Sequence, residues 1–213
     1  MIPERTATIP IGPGLTLEAA LALPADATNG AVLCHPHPLY GGDMHNPVVV
    51  RTAEVCAEAG LATLRFNFRG VGASSGVWDE GRGEQDDVRA ALARLGGLLV
   101  APARVALVGY SFGAAMAAAA AATGAVLAGL ALLAPPLALR GLPGFPPPTA
   151  LDGPLLLLAG SDDEYCPRER LEGLGATLPG AEVRMIAGAN HFFFGRLFPL
   201  GEAVRAWAAR VAR

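Results

Sequence analysis

Val105-Ala106-Leu107-Val108-Gly109-Tyr110-Ser111-Phe112-Gly113, running into Ala114-Ala115-Met116-Ala117, decides the fold. The apolar run Val105 to Val108 is short and rich in valine, as a buried parallel strand is. The alanines from Ala114 to Ala122 are strong helix formers, small enough to bring a helix close to a sheet. Between the two lies G-x-S-x-G, here Gly109-Tyr110-Ser111-Phe112-Gly113. Its glycines leave room where the turn is tightest, so that Ser111 can hold a strained backbone with its hydroxyl exposed. A helix that starts at Ser111 also aims free N–H groups at the spot where negative charge would develop.

Working outward, short apolar strands alternate with helical segments from residue 31 to the end of the chain. Strands are expected at Ala31 to Cys34, Leu61 to Phe68, Ala128 to Leu133, Pro154 to Gly160 and Ala181 to Ile186. Helices are expected from Pro47, capped by Asn46, to about Ala59; from Glu84 to Leu95; from Pro167 to Leu178; and from about Leu200 to Val211. Thr6 to Ile11 and Leu15 to Leu23, joined by Gly12-Pro13-Gly14, read as an antiparallel edge hairpin. The pattern predicts an α/β fold with a mostly parallel central sheet covered on both faces. Pro135 to Gly153 is expected to be a loop, too short for a second domain or a large cap. The 213 residues are read as a single domain.

Composition narrows the function. The chain is 52% hydrophobic and 16% charged with net charge −3, which disfavours nucleic acid and anionic membranes as partners. All 16 basic residues are arginine, so chemistry that needs a Schiff-base or phosphate-binding lysine is excluded. Three scattered cysteines, Cys34, Cys56 and Cys166, point to a reducing compartment without a disulfide framework. No signal-peptide core follows Met1, and no apolar run reaches the roughly 20 residues of a membrane span. A cytoplasmic protein is expected.

Ser111 needs a base to become a nucleophile. Of the four histidines, His191 follows the last strand, so it shares the carboxyl edge of the sheet with Ser111. The acidic turn Gly160-Ser161-Asp162-Asp163-Glu164, again just past a strand, supplies a carboxylate in the chain order Ser, Asp, His. Position alone leaves Asp162 and Asp163 both open.

With these residues in place, the chain resembles the α/β-hydrolase superfamily, and within it the small cap-less serine hydrolases related to dienelactone hydrolases and bacterial esterases. The resemblance runs through His35-Pro36-His37-Pro38-Leu39-Tyr40-Gly41-Gly42, Arg65 to Gly76, the serine turn, Gly160 to Asp163 and Asn190-His191-Phe192-Phe193. It implies a Ser111–His191–acid triad with the acid three residues past the glycine that ends its strand. Counted from Gly160, that is Asp163. Dienelactone hydrolases proper carry cysteine where this chain has Ser111.

An oxyanion hole needs N–H donors. Phe112, after the nucleophile, supplies one. In the loop after Cys34, Pro36 and Pro38 have none to give, which leaves the backbone of His37. The family usually has His-Gly at this point.

Competing readings of the other motifs are weaker. A metallo-hydrolase spacing starting at His35 and His37 would need an acid at Leu39 and a histidine at Tyr40, so no metal is expected. Gly70 to Gly76 does not open straight into a helix, so no dinucleotide cofactor is expected. Asn67 and Arg69 are read as structural, and the thiols of Cys34 and Cys166 as bystanders. Tyr40, Tyr110, Phe112, Trp78, Phe192, Phe193 and Phe194 are candidates to line the substrate site. The expected activity is hydrolysis of a small-molecule carboxylic ester through an acyl-serine. A thioesterase or a non-catalytic binding protein of the same fold are the alternatives, and a homodimer is the expected form if the chain assembles.

Overall fold

The computed structural model describes residues 2–139, 145, 148 and 151–213. In chain order its elements are β1 (Arg5–Gly12), β2 (Leu15–Ala22), β3 (Asn29–Cys34), α1 (Pro47–Glu58), β4 (Ala62–Phe66), α2 (Arg82–Gly96), β5 (Arg104–Tyr110), α3 (Phe112–Ala122), β6 (Leu130–Leu133), β7 (Leu155–Gly160), α4 (Arg168–Thr177), β8 (Ala181–Ile186) and α5 (Leu197–Val211). The strands form one eight-stranded sheet in the order β1-β2-β4-β3-β5-β6-β7-β8. β1 and β2 form the antiparallel hairpin at one edge, β2 meets β4 antiparallel, and every other pair is parallel.

The pleat sorts the apolar residues into two cores. Val32 and Cys34 of β3 and Leu107 of β5 face the core shared with α2, α3 and α4. Ala31, Leu33, Ala106 and Val108 face the core shared with α1 and α5. Helix α3 is buried from Phe112 through Ala121, as a helix without a polar face must be.

The chain leaves β3 toward β4 on one side and crosses back to β5 on the other, so the order reverses between β3 and β5. In sheets of this kind a crevice opens at that point, beyond the carboxyl ends of the strands. Cys34 is in register with Gly109, so His35 to His37 and Ser111 to Phe112 emerge side by side.

Their closeness depends on glycine. A Cβ on Gly113 would lie 2.4 Å from the Cys34 carbonyl oxygen, and one on Gly109 would lie 2.2 Å from that of Gly113. Backbone cannot yield to a methyl group at such distances. Gly113→Ala is therefore expected to cost about 3 kcal/mol, read as a lower urea midpoint. Gly60→Ala, where no heavy atom lies within 4 Å of the added carbon, carries only the strain of its φ of 92°.

Some boundaries differ from the sequence pattern for visible reasons. β4 was expected to reach Phe68, but its pairing ends at Phe66, and the Phe68 N–H is taken by the His35 ring at 3.0 Å. α5 begins at Leu197 rather than Leu200; Pro199 falls in the first turn, where no N–H is needed. Within the run from Pro135 to Gly153, residues 140–144, 146, 147, 149 and 150 lie outside the described residues. The β6–β7 connection spans only residues 134–154, too few for a lid domain.

Candidate active site

Ser111 sits on the turn between β5 and α3 with φ 54° and ψ −118°, a conformation that L-residues rarely adopt. Its N–H donates to the Leu133 carbonyl at 2.9 Å, and its own carbonyl accepts from Ala114 and Ala115. The backbone is held from both sides while the side chain stays at the surface of the crevice. Strain kept in place by surrounding contacts in this way marks functional turns.

The Ser111 Oγ lies 2.9 Å from His191 Nε2. On the far side of the ring, Nδ1 lies 3.0 Å from Asp163 Oδ1 and 2.9 Å from Oδ2. An ionised carboxylate only accepts, so the proton is assigned to Nδ1. Nε2 is then left with its lone pair facing the serine hydroxyl.

Asp163 has its carboxylate fully buried against His191. Its Oδ1 also accepts from the N–H groups of Tyr165 and Cys166, both at 2.9 Å. Asp162 points elsewhere: it is exposed, and its Oδ1 accepts from the Ser161 hydroxyl at 2.7 Å. The structure thus brings Asp163 to His191 and leaves Asp162 outside.

The loop that carries His191 is pinned on several sides. The buried Tyr110 hydroxyl donates to the His191 carbonyl at 3.0 Å, tying the residue before the serine to the histidine. Asn190 Oδ1 accepts from Phe192 N–H at 3.1 Å. A Cβ on Gly160 would lie 2.1 Å from the Ala189 carbonyl oxygen, so the acid-bearing and histidine-bearing loops press directly together.

Phe112 N–H and His37 N–H have no partner among the described residues. Their rings touch at a centroid distance of 5.0 Å. His37 also anchors its own turn: its Nδ1 accepts from Leu39 N–H, and its carbonyl accepts from Tyr40 and Gly42. These are the donors that sequence reasoning named for an oxyanion.

The remaining histidines are committed to structure. His35 is fully buried; its Nδ1–H donates to Pro36 O at 2.6 Å and its Nε2 accepts from Phe68 N–H. His45 Nδ1 lies 3.4 Å from Arg65. Among the described residues, no three of His, Cys, Asp or Glu are grouped to hold a metal ion. Asn67 accepts from Met44 N–H and donates to Glu18, while Arg69 grips the buried Asp87. Cys34, Cys56 and Cys166 are free and buried. Burial pushes all three thiols upward, Cys56 to about 12, away from the reactive thiolate form.

Burial also pushes His35 down to about 4, against the pull of the Pro36 carbonyl and Asp43. The unfolded chain takes up this proton near pH 6.5, the folded chain only near 4. Above pH 6.5 the ring is neutral in both states and costs nothing. Stability is lost as the pH falls from about 6.5 to about 4, by roughly 3 kcal/mol in all, and the loss then levels off. In urea unfolding at pH 7.5, 5.5 and 4.5, the gap between wild type and His35→Gln should narrow at each step. A gap independent of pH would show that His35 does not carry the dependence.

The crevice at Ser111 holds about 430 Å³ and is open to solvent. Tyr110, Ser111 and Phe112 line it from the β5 turn. His37, Tyr40 and Gly41 contribute from the loop after β3, and Tyr165, His191 and Phe192 from the loops after β7 and β8. Of the aromatic residues expected to line it, Phe193 and Phe194 do not, and neither does Trp78. It packs behind the wall, 4.8 Å from the His37 ring and 5.1 Å from the Phe112 ring. In that position its ring supports the His37 turn. Tyr110 lines the crevice but is only 3% exposed, with its hydroxyl already used. Tyr165, Leu139 and Asn46 line it without having been singled out in the sequence. Only Tyr165 carried a signal, two residues past Asp163 on the same turn.

A strained serine facing a histidine, itself backed by a buried carboxylate, is the arrangement of a serine hydrolase. Comparison with known proteins gives the same class. The family model of the X-Pro dipeptidyl-peptidases (S15 family) matches residues 13–139. An α/β serine hydrolase homologue from Coxiella burnetii is 35% identical, covering 97% of this chain and 97% of its own, with a TM-score of 0.85. XC6422 from Xanthomonas campestris, an α/β serine hydrolase without lid, is 32% identical with a TM-score of 0.84, covering 97% of this chain and 94% of its own. An uncharacterised protein of Rickettsia prowazekii is 50% identical over 62 residues, a match that spans 29% of this chain and only 26% of that protein. The chain belongs to the α/β-hydrolase superfamily, which holds both the S15 peptidases and the lidless serine hydrolases.

Proposed function

We propose that this hydrolase is a carboxylesterase acting on small, uncharged esters. Ser111 Oγ attacks the ester carbonyl as His191 Nε2 takes its proton. Asp163 holds the ring and stabilises the imidazolium. The carbonyl oxygen, now an oxyanion, accepts from the N–H groups of His37 and Phe112. Collapse expels the alkoxide, which takes the proton from His191 and leaves as alcohol. Water then attacks the acyl-serine, giving its proton to His191, and the carboxylic acid departs as Ser111 recovers its hydrogen.

The observation that carries the ester reading is the wall of the crevice. Among the described residues it bears no Asp, Glu or Arg side chain. A dipeptidyl-peptidase must hold a substrate ammonium, and an acyl-CoA thioesterase several phosphates; either calls for opposite charge at the site. The S15 match favours a peptidase as the second reading, and the missing carboxylate weighs against it. We place the protein in the cytoplasm, where three unpaired thiols persist. No described helix is long and apolar enough to cross a membrane.

The test compares p-nitrophenyl butyrate, butyryl-CoA and Gly-Pro-p-nitroanilide, each rate referred to its uncatalysed rate. The ester should lead in kcat/KM by about 100-fold or more. A lead by the anilide would make the protein a peptidase, and a lead by the thioester a thioesterase.

A further inference from the structure

The proposed reaction orients its substrate, and the orientation assigns a role to one aromatic face. His191 must hand its proton to the departing oxygen, so that oxygen comes within hydrogen-bond reach of Nε2. The carbonyl oxygen must meanwhile point at the N–H groups of His37 and Phe112. The alcohol half of the ester therefore lies on the His191 side of Ser111.

That side is aromatic. The Tyr165 ring lies 4.8 Å from the imidazole, and the Phe192 ring stands edge-on to it at 5.5 Å. Phe194 stacks on the outer face of this group, 5.4 Å from Phe192 with 24° between the planes. Tyr165, Phe192 and Phe194 stay 41%, 51% and 75% exposed. Asn190 Oδ1 accepts from the N–H groups of both Phe192 and Phe194, so these rings project from a tied turn. A fixed array of rings left open to water beside the proton donor is a surface prepared for a flat, uncharged group.

We propose that Tyr165, Phe192 and Phe194 form the leaving-group subsite, and that the enzyme selects esters of aryl or arylalkyl alcohols. This rests on the esterase reading. The face binds the alcohol half through ring stacking, and it leaves the acyl half to the His37 and Tyr40 side of the crevice.

Benzyl butyrate and ethyl butyrate form the same butyryl-enzyme and release alcohols of similar basicity. Their ratio of kcat/KM therefore reads recognition of the alcohol. Wild type should favour the benzyl ester by about 10-fold or more. In Phe192→Ser the ratio should fall to within about 3-fold of unity, and Phe192→Tyr should keep it. Across ethyl acetate, butyrate and hexanoate, relative rates in Phe192→Ser should match those of wild type. The proposal is overturned if wild type shows no benzyl preference, if the preference survives Phe192→Ser, or if the acyl series changes instead. Fluorophosphonate labelling of each protein separates the two levels: a wild type that labels but does not discriminate sinks only the subsite. One that neither labels nor turns over either ester sinks the esterase reading, and the subsite with it.

Discussion

Ser111→Ala is expected to lower kcat by at least about 10⁴-fold, with KM changed little and the fold intact. The size follows from the geometry. Ser111 Oγ is the only nucleophile within hydrogen-bond reach of His191 Nε2 among the described residues. Cys34 and Cys166 lie near this edge, but both are buried and held in the neutral thiol form. No nearby group replaces the serine. The change removes one oxygen and leaves the backbone bonds of residue 111 to Leu133, Ala114 and Ala115 in place. Residual turnover would come from water attacking an ester carbonyl polarised by the His37 and Phe112 N–H groups. Initial rates on p-nitrophenyl butyrate and circular dichroism on the same samples read both parts.

Asp163→Asn is expected to lower kcat by about 10³- to 10⁴-fold, whereas Asp162→Asn should leave it within about 3-fold. The contrast comes from what each side chain touches. Asp163 Oδ1 is held by two backbone N–H groups, those of Tyr165 and Cys166. In the asparagine variant the amide oxygen stays with those donors, so the NH₂ group takes the place of Oδ2, 2.9 Å from His191 Nδ1. An amide N–H facing Nδ1 forces the ring proton onto Nε2. The face toward Ser111 then donates instead of accepting, and the serine loses its base. Asp162 is exposed and bonded to Ser161, so its charge acts on the site only through solvent. Equal losses in the two variants would contradict this arrangement.

The parts of the fold legible in the sequence are those written in local pattern. A four-residue apolar run, a glycine-flanked serine and an alanine tract specify strand, turn and helix within the 18 residues from Val105 to Ala122. The alternation of such units specifies a parallel sheet, and a parallel sheet puts the loops after its strands on one edge. That reasoning places Ser111, His191 and the acidic turn together without coordinates. What pattern does not carry is the direction in which a loop side chain points. Asp162 and Asp163 are chemically alike and adjacent. They differ because two N–H groups later in the turn capture one carboxylate while the Ala189 carbonyl fixes the backbone of the other.

The same limit applies to the aromatic residues. Trp78 and Tyr165 are both bulky residues in loops at the carboxyl edge of the sheet. One is packed behind His37 and the other opens onto the crevice, and only the contacts between loops decide it. His35 shows a buried role that composition conceals. It stands in a run that invites a metal-site reading, yet both its nitrogens are already used: Nδ1 holds the Pro36 carbonyl within its own loop, and Nε2 joins that loop to Phe68, just past β4.

The central claim is that Ser111 is an activated nucleophile. The direct measurement is to treat the protein with a fluorophosphonate, weigh the intact chain and map the adduct by peptide mass. The expected result is one adduct per chain on the peptide that contains Ser111, and none in Ser111→Ala. An unlabelled wild type, or an adduct that persists in Ser111→Ala, would contradict the account.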